Sequence, residues 1–417
     1  MRILYSFAIA LYGLGVRFAS LWNLKAKQMV HGWDDTKRRF FNPAQPSGDL
    51  IAWFHASSLG EFEQARPVIE QFRKDHPKYQ VLVSFFSPSG YEIRKKYDKA
   101  EFVCYLPLDT PSNAKKFIEA VKPSIVFFVK YDFWFNYLDE LKKHNIPTYI
   151  FSSIFRPRQY FFKPYGKWFL NQLHCFSHLF VQNQESLALL QSHGVSQCSI
   201  AGDTRFDRVN EIAKNVKPNP DIERFIYGDG DSLTKVIMAG SSWEPDEEYL
   251  HQFFKSSLPP HTKMILAPHV ISENHIRWIE QLFGSNNCVR YSKLANTKDI
   301  TQKILIIDNM GMLSSLYGYA HIAYIGGGWG HGIHNILEAI TFGKPVIFGP
   351  NYAKFQEAHD IIQLEGGSSF STYIQLEKWL IQMLTNTESY TKSVSTCRQY
   401  VAANIGSTNI ILNCINI

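Results

Sequence analysis

The chain has 417 residues, 45% of them hydrophobic and 19% charged, with a formal net charge of +6. This length predicts two domains, and the balance of apolar and charged residues excludes intrinsic disorder. Positions 1–40 hold seven Lys and Arg residues and two Asp residues, so the rest of the chain is nearly neutral. Because a general nucleic-acid-binding protein spreads its basic surface over a domain, this distribution argues against that function class.

The N-terminal segment, residues 3–22, is apolar except for Arg17 and small polar residues. Its length suits a membrane helix, and an arginine near one end is tolerated by snorkelling. The basic residues that follow predict a cytoplasmic body. The segment fits a membrane span and an interfacial helix equally well. The first amphipathic helix of a soluble domain is a further alternative, whereas no small-x-small site clearly follows to favour a cleaved signal peptide.

From residue 50 onwards, short β-type runs alternate with helical patterns such as Glu61–Lys74 and Pro111–Val121. This alternation predicts a parallel sheet covered by helices. The predicted strands are Leu50–His55, Gln80–Phe86, Phe102–Leu106, Ser124–Val129, Thr148–Ser152 and Leu179–Gln182.

Two segments of linker composition, Lys214–Asp221 and Tyr227–Ser232, precede a second alternation of the same kind. We therefore predict a membrane-associated segment at 1–30, one domain at 31–215 and a second at 216–417, with a cleft at the carboxyl ends of both sheets. The strands predicted in the second domain are Lys235–Ala239, Lys263–Ala267, Val289–Ser292, Ile304–Ile307, Ile322–Ile325 and Pro345–Phe348.

The motif HASSLGE, at 55–61, follows the first strand and ends in Glu61. An acid in a first helical turn is explained by the helix dipole alone. A glutamate on an apolar strand-to-helix elbow is also a candidate general base, because desolvation raises a carboxyl pKa. Both interpretations stay open at this point.

The motif KYDFW, at 130–134, follows another strand of the same half, so it should reach the same edge of the sheet. Lys130 is a candidate to hold an anionic donor or acceptor group. Asp132 is a candidate to orient a hydroxyl or Lys130 itself. A local ion pair with Trp134 packed beneath it explains the motif equally well.

The second half has a glycine-dense loop, Gly326 to Gly332, which follows an apolar run and leads into a short helical pattern with Asn335 and Glu338. Glycines permit close approach of a backbone to a ligand, and a helix start attracts phosphate. A carboxylate one turn into that helix can accept hydrogen bonds from a ribose diol. The loop has neither P-loop spacing nor proper GxGxxG spacing, yet it indicates a nucleotide site and hence an enzyme.

Three further loops of the second half follow predicted strands at the same edge. The hydroxyls of Ser241 and Ser242 suit a phosphate, Pro268 and His269 end the next strand, and Met310 to Met312 begin a helix after Asp308. Each loop is weak evidence alone, and together they can enclose a nucleotide.

Metal ligation finds little support. The six cysteines are scattered with no CxxC pair, which favours a reduced cytoplasmic compartment and argues against structural zinc. His331 and His334 lack a third ligand nearby in sequence, so a loop-shaping role is favoured for them over a metal.

Taken together, the motifs resemble those of the 3-deoxy-D-manno-octulosonic acid (Kdo) transferases of lipopolysaccharide synthesis, in order and at similar spacing. The matching stretches are HASSLGE at 55–61, KYDFW at 130–134, QNQES at 182–186, GDTRFD at 202–207, MGMLSSLYGYAHIAYIGGG at 310–328 and HNILEAITFGKPVIFGP at 334–350.

The resemblance implies a GT-B fold, with two Rossmann-like domains that bind acceptor in the N-terminal half and donor in the C-terminal half. It implies inverting transfer of Kdo from CMP-Kdo to a lipid A precursor at the inner membrane, without a metal or cofactor. The family's proton acceptor falls on Glu61. Its CMP contacts fall on Pro268, His269, Met310, Gly311, Met312, Asn335, Ile336, Leu337 and Glu338.

This chain departs from the family pattern at two places. Many members carry Glu-Thr-Glu-Leu-Trp-Pro where this chain has residues 130–135, so Lys130 replaces an acid. Many members have Pro-Arg-His where this chain has Pro268-His269-Val270, so His269 must compensate for a phosphate-binding arginine. The alternatives are a sugar-nucleotide epimerase, a UDP-sugar lipid glycosyltransferase and an inactive nucleotide-sugar binder.

Overall fold

The computed structural model describes residues 1–41, 50–228, 230, 233–297 and 299–415. The chain forms two compact units, Met1–Arg208 with Ile405–Ile417, and Val209–Asn404. Each unit contains a parallel sheet covered by helices, as the alternation of β-type runs and helical patterns predicts. The predicted class of two Rossmann-like halves is therefore confirmed.

In the described part of the first unit, seven parallel strands form one sheet in the order β3-β2-β1-β4-β5-β6-β7. The strands are β1 Leu50–Ala56, β2 Tyr79–Phe85, β3 Phe102–Tyr105, β4 Ile125–Val129, β5 Thr148–Ser153, β6 His178–Val181 and β7 Cys198–Ile200. The helices are α1 Arg2–Ala19, α2 Leu24–Phe40, α3 Leu59–Asp75, α4 Pro88–Arg94, α5 Pro111–Val121, α6 Phe135–Lys143, α7 Lys167–Gln172, α8 Gln184–Ser192 and α9 Arg205–Lys214, which continues past the unit boundary.

The first sheet is buried on both faces, which explains why its strands read as continuous apolar runs. Along β1 the side chains alternate, so that Trp53 joins one core cluster and Phe54 the other. Strand β1 pairs with β2 on one side and with β4 on the other, which makes the β1–β4 junction a topological switch point. Loops that follow such strands are where doubly wound sheets bind ligands.

The second unit also has a sheet of seven parallel strands over its described residues, in the order β10-β11-β9-β8-β12-β13-β14. It differs from the first sheet in that β11 lies between β9 and β10. Its strands are β8 Lys235–Ser242, β9 Thr262–Pro268, β10 Cys288–Arg290, β11 Ile304–Ile306, β12 Ile322–Ile325, β13 Val346–Phe348 and β14 Gly367–Ser369. Its helices are α10 Pro220–Tyr227, α11 Glu244–Ser256, α12 Glu273–Phe283, α13 Tyr291–Leu294, α14 Leu313–Leu316, α15 Leu337–Ile340, α16 Gln356–Gln363, α17 Tyr373–Thr385 and α18 Thr387–Asn404. The switch point of this sheet lies between β8 and β12.

Residues 1–30 were predicted as a segment of their own. In the structure they belong to the first unit. Helix α1 is long and apolar enough to cross a membrane, with a mean hydropathy of 1.2. It forms a hairpin with α2, whose Trp33 and Phe40 are buried in the body of the unit.

The predicted second domain, 216–417, also differs from the second unit at its C-terminal end. Ile405–Ile417 belong to the first unit. The last helix, α19 Ser407–Asn413, packs on α3. Asp207 holds its start, because its carboxylate accepts hydrogen bonds from the backbone N–H of Gly406 at 2.6 Å and of Thr408 at 2.7 Å. Bonds between positions this far apart leave no local sequence pattern.

We expect Asp207→Ala to destabilise the protein by about 1–2 kcal/mol, because it removes the acceptor that caps α19. Hydrogen exchange should show faster exchange over residues 405–415, together with a lower urea midpoint. Asp98→Ala, at an exposed carboxylate that pairs with the adjacent Lys99, is the matched control. Unchanged exchange at α19 would contradict the capping role.

The strand predictions match the structure to within a few residues, but they miss β7 and β14. Each of these edge strands has three residues, Cys-Ser-Ile in β7 and Gly-Ser-Ser in β14, and so lacks the apolar run by which the other short strands were predicted. The predicted linker Lys214–Asp221 lies between α9 and α10, after the observed unit boundary. In the other predicted linker, residues 227–232, positions 229, 231 and 232 lie outside the described residues.

Candidate functional site

Two of the predicted motifs meet at the switch point of the first sheet. HASSLGE follows β1 and KYDFW follows β4, and these strands are hydrogen-bonded neighbours with His55 opposite Phe128. Asp132 accepts hydrogen bonds from Ser57 through its backbone N–H at 3.1 Å and its hydroxyl at 2.5 Å. The loop that leads to Glu61 is therefore fixed by a carboxylate from the second motif.

Glu61 lies in the first turn of α3, half-buried, with Ser58 as the N-cap. The Ser58 hydroxyl donates to Glu61 Oε2 at 2.9 Å and accepts from the Glu61 N–H at 3.4 Å. Burial raises the pKa of Glu61, while the Ser58 hydrogen bond and the positive charge of Lys130 offset part of that rise. A carboxylate with a raised pKa is a stronger base at neutral pH than an exposed glutamate.

Asp132 is almost completely buried next to Glu61. Burial, and then the negative charge of Glu61, raise the pKa of Asp132 well above its usual range, although the Ser57 hydrogen bonds oppose this. Two neighbouring carboxylates repel each other, so the pair binds its first proton more readily than a single carboxylate would. The pKa of that step describes the pair and not one residue. The arrangement is a dyad of carboxyls at the edge of the sheet.

His55 is a residue of this cluster whose role the sequence did not reveal. It is fully buried, and burial lowers its pKa to about 3, so it is neutral near pH 7. Trp134 Nε1 can only donate, and it lies 2.8 Å from His55 Nε2. His55 Nδ1 therefore carries the proton and faces Ser84 Oγ at 2.8 Å. His55 is thus a neutral link between the two motifs, and its 3.7 Å approach to Asp132 is not an ion pair.

Lys130 has a left-handed backbone, with φ of 57°, directly after β4. This conformation is uncommon for a residue with a side chain and marks a constrained position. Its charge lowers the pKa of Glu61, so the two side chains interact. The residue that departs from the family pattern therefore acts on the candidate base.

Lys130→Met should move the acid limb of the pH–activity profile to higher pH. Glu61 acts as a base only when ionised, so activity falls as pH drops through its raised pKa. Removing a neighbouring positive charge raises that pKa further, and activity is then lost at a higher pH. Lys130→Arg keeps the charge and should leave the limb unchanged. A limb that stays in place in Lys130→Met, or moves to lower pH, would contradict the interaction.

The switch point of the second sheet brings together the predicted loops after β8, β9 and β12. Trp243 stacks on His269 with ring centroids 4.5 Å apart, and His269 stacks on His334 at 4.6 Å. Burial, and then the neighbouring His269, lower the pKa of His334. Pro268 ends β9 and His269 is exposed directly after it. The stacked rings of Trp243, His269 and His334 therefore form one surface at this end of the second sheet.

The two serines predicted as phosphate contacts, Ser241 and Ser242, have different surroundings. Ser241 has a left-handed φ of 54° and is partly exposed. Ser242 is fully buried, and its hydroxyl donates to Glu247 Oε1 at 2.8 Å. Glu247 Oε2 in turn lies 2.7 Å from His275 Nε2. The Ser242 side chain is therefore engaged inside the protein, which removes it from the candidate phosphate contacts.

The glycine loop owes part of its composition to the protein's own packing. A Cβ at Gly326 would lie 2.2 Å from the Ser241 carbonyl oxygen, and one at Gly328 would lie 2.6 Å from Gly349 Cα. At Gly330 the nearest atom is 3.9 Å away. Gly326 and Gly328 therefore serve backbone packing inside the protein. Only at Gly330, among these three, does the space fit the predicted reason for the glycines, which is close approach to a ligand.

Asp246 anchors this loop, and the sequence analysis did not identify it. Its side chain is fully buried and accepts hydrogen bonds from Tyr324 Oη at 2.8 Å and from the Gly327 N–H at 3.0 Å. Trp243 and His334 border a cavity of about 420 Å³ next to the loop. An acid in a first helical turn complements the helix dipole, so residue type and position alone do not distinguish Asp246 from Glu244 and Glu247.

The remaining predicted ligand residues form one connected group. Glu338 accepts hydrogen bonds from Ser314 on α14 at 2.5 Å and from Asn335 at 3.2 Å. Helix α14 directly follows Met310, Gly311 and Met312, which the sequence predicts as its start. Met310 is 88% exposed, and Gly311 has a left-handed φ of 92°. Ile336 and Leu337 are buried beneath this group.

The short helix begins later than predicted. Helix α15 has four residues and starts at Leu337, and Asn335 Oδ1 already accepts from the Leu337 N–H at 3.1 Å. Fewer free N–H groups are left for a phosphate than the predicted helix start would offer. Over the described residues there is no group of three or more His, Cys, Asp or Glu side chains arranged to hold a metal.

Each of the two doubly wound sheets carries candidate site residues at its switch point. This arrangement defines a protein of the GT-B class. The solved structure of UDP-GlcNAc 2-epimerase from Neisseria meningitidis shares the fold, with a TM-score of 0.61 over 88% of this chain and 98% of that one, at 16% identity. Such a distant likeness describes the fold alone.

Sequence comparisons show which known proteins this chain is similar to. Residues 34–208 match the model of the 3-deoxy-D-manno-octulosonic-acid transferase (kdotransferase) family. The 3-deoxy-D-manno-octulosonic acid transferase of Aquifex aeolicus is 25% identical over 82% of this chain and 87% of its own length. A bifunctional glycosyltransferase/methyltransferase of Fusobacterium nucleatum is 27% identical over 71% of this chain, which spans 47% of that longer protein. The chain is thus similar to the Kdo transferase family over residues 34–208 and to individual Kdo transferases over most of its length, which supports a glycosyltransferase.

Proposed function

We propose that the protein transfers Kdo from CMP-Kdo to a sugar hydroxyl of a lipid A precursor, with inversion at the anomeric carbon. The relatives' names support the transferred sugar, and the family resemblance implies the CMP-linked donor and the lipid acceptor. In this proposal the first unit holds the acceptor and the second unit holds the donor. The reaction belongs to lipopolysaccharide core synthesis, at the cytoplasmic face of the inner membrane.

The observation that carries the proposal is the cluster of Glu61, Asp132 and Lys130 at the switch point of the first sheet. Glu61 takes the proton of the acceptor hydroxyl, whose oxygen attacks the anomeric carbon while CMP leaves. Asp132 keeps the Ser57 loop in place through two hydrogen bonds. No covalent intermediate is needed, since one displacement by an activated hydroxyl inverts the configuration.

On the donor side, Glu338 and Asn335 hold the ribose hydroxyls of CMP. Ser241 and His269, which follow β8 and β9, stabilise the charge on the departing phosphate. The residues Pro268, Met310, Gly311 and Met312 border the nucleotide. His269, stacked between Trp243 and His334, takes the place of the arginine that many relatives carry.

Mass spectrometry of products made from CMP-Kdo and a tetra-acylated lipid A precursor tests the proposal. The expected product is heavier than the acceptor by one or more Kdo residues, and NMR of the new linkage should show inverted configuration. Retained configuration would remove the single displacement. Turnover of a UDP-sugar without any acceptor, and no reaction with CMP-Kdo, would favour the epimerase alternative instead.

A further inference from the structure

Three aromatic side chains meet at the switch point of the second sheet, each from a loop that follows a different strand. His269 follows β9, Trp243 follows β8, and His334 lies in the loop after β12. These strands are hydrogen-bonded neighbours in the order β9-β8-β12. Because the carboxyl ends of parallel neighbours lie at one edge, residues up to 91 positions apart come into contact.

Trp243 and His334 form a continuous aromatic floor on which the ring of His269 lies. Trp243 Nε1 is 3.3 Å from His334 Nε2, so these two rings meet at their edges. His269 stacks on both, with ring centroids 4.5 Å from Trp243 and 4.6 Å from His334 and with planes inclined by 24° and 30°. We call these three residues the His269 stack. One face of the His269 ring is therefore covered by two neighbours.

The hydrogen bond inside the floor fixes the protonation of His334. An indole N–H can only donate, so His334 Nε2 accepts and its proton is on Nδ1. Burial, and then the neighbouring His269, lower the pKa of His334, which agrees with a neutral ring. The floor therefore holds the His269 ring by stacking and places no positive charge beside it.

The floor is anchored through the backbone. Asp246 is fully buried, and its Oδ2 accepts hydrogen bonds from the N–H groups of Trp243 and Gly327, both at 3.0 Å. The N–H of His334 donates to the Gly326 carbonyl oxygen at 3.0 Å. Both rings of the floor are therefore tied to the glycine loop.

His269 differs from the floor because it is open to a ligand. Its side chain is exposed, and over the described residues its ring nitrogens have no hydrogen-bond partner. Both floor residues border the cavity of about 420 Å³ next to the glycine loop. An imidazole N–H beside an open cavity can donate to an anion.

A histidine in place of an arginine needs such support. A guanidinium presents five N–H groups in a fixed planar fork, whereas an imidazole has two nitrogens and turns about two side-chain bonds. Stopping this rotation when a ligand binds costs free energy, and a ring that is already stacked avoids much of that cost. The stack therefore gives one histidine part of the preorganisation that a guanidinium has by its shape.

We propose that Trp243 is a positioning residue for the nucleotide donor, because its ring face and its N–H together hold His269 with a ring nitrogen towards the donor phosphate. The inference rests on the proposed function, which supplies that phosphate. It adds a residue outside the predicted CMP contacts, and this residue acts through His269 and not by its own contact with the nucleotide.

Two ligands that differ only in the phosphate test this role. Trp243→Leu removes the stack and should weaken CMP binding by about three- to ten-fold, the usual cost of immobilising one side chain. Its binding of cytidine, followed by NMR titration, should match the wild type. Trp278→Leu makes the same change at a half-buried tryptophan whose ring lies 5.7 Å from His275, and it should bind both ligands normally. Equal losses of CMP and cytidine affinity in Trp243→Leu would overturn the proposal.

A double-mutant cycle tests whether Trp243 acts through His269. His269→Ala should weaken CMP binding by about ten-fold or more, because it removes the proposed phosphate contact. Adding Trp243→Leu to His269→Ala should then cause no further loss, since the residue to be positioned is absent. A Trp243→Leu effect that persists undiminished without the His269 ring would contradict the positioning role.

Nitrogen NMR of the imidazole rings observes the floor directly. In the wild type, His334 should carry its proton on Nδ1. Trp243→Phe keeps a ring face but lacks the N–H, so His334 should lose this preference and CMP affinity should fall between those of the wild type and Trp243→Leu. A wild-type His334 that carries its proton on Nε2 would refute the floor as described.

Kdo transfer by the wild type decides the proposed function separately. If the wild type transfers Kdo while Trp243→Leu binds CMP normally, the positioning role is wrong and the proposed function stands. If Trp243→Leu loses affinity for CMP but not for cytidine, and the wild type transfers no Kdo, the proposed function fails. Trp243 then still positions His269 in a nucleotide site.

Discussion

Glu61→Gln should reduce Kdo transfer by about a hundred- to ten-thousand-fold while leaving CMP binding unchanged. The substitution keeps the size of the side chain and a hydrogen-bond acceptor for Ser58, but an amide cannot take the acceptor's proton. Loss of a positioned general base typically has an effect of this size. Initial rates with CMP-Kdo and a lipid A precursor, together with calorimetry of CMP binding, measure the two quantities.

The matched control is Glu119→Gln, which makes the same chemical change at an exposed glutamate on α5. Glu119 lies 3.8 Å from Lys115 one helical turn away. Glu119→Gln should transfer Kdo at the wild-type rate. Wild-type turnover in Glu61→Gln would remove Glu61 from the role of base. The carboxyl of Asp132 would then be the next group to test, because it is the other member of the dyad.

Glu338→Ala should weaken CMP binding by about ten- to a hundred-fold. Hydrogen bonds to a charged group contribute about 1.5–3 kcal/mol each, and this change removes the carboxylate proposed to hold the ribose. Calorimetry should show this loss as a larger dissociation constant for CMP. The substitution leaves the candidate base Glu61 in place.

Two variants distinguish ligand contact from local support. Ser314→Ala frees one oxygen of Glu338 but keeps the carboxylate, so we expect a smaller loss of CMP affinity. Glu388→Ala removes an exposed carboxylate on α18 and should have no effect. If Glu338→Ala binds CMP as the wild type does, the nucleotide lies elsewhere and the proposed donor contacts fall with it.

Much of the fold follows from the order of apolar runs. Strands with an apolar run could be predicted even where they have only three or four residues. The helix Pro111–Val121 has the predicted bounds, because its Thr110 cap and its period are local. The return of Ile405–Ile417 to the first unit could not be predicted. It depends on Asp207 and a helix start almost two hundred positions away, which no window of sequence contains.

The candidate site shows the same division. Glu61, Glu338 and the KYDFW motif could be found from residue type and position after a strand. The buried acids Asp246 and Glu247, and the neutral His55, escaped notice because their partners lie on other elements. The same reason explains why Ser242 was placed among ligand contacts although its hydroxyl is bonded internally.

By itself, the sequence determined the alternation of strands and helices, the places where loops carry chemical groups, and the resemblance to Kdo transferases. These properties depend on periodicity and residue types within short stretches of chain. Only the tertiary structure decided that Asp132 fixes the loop before Glu61 and that two of the loop glycines serve backbone packing. Ser57 and Asp132 are 75 positions apart, and they meet because β1 and β4 became neighbours in the sheet.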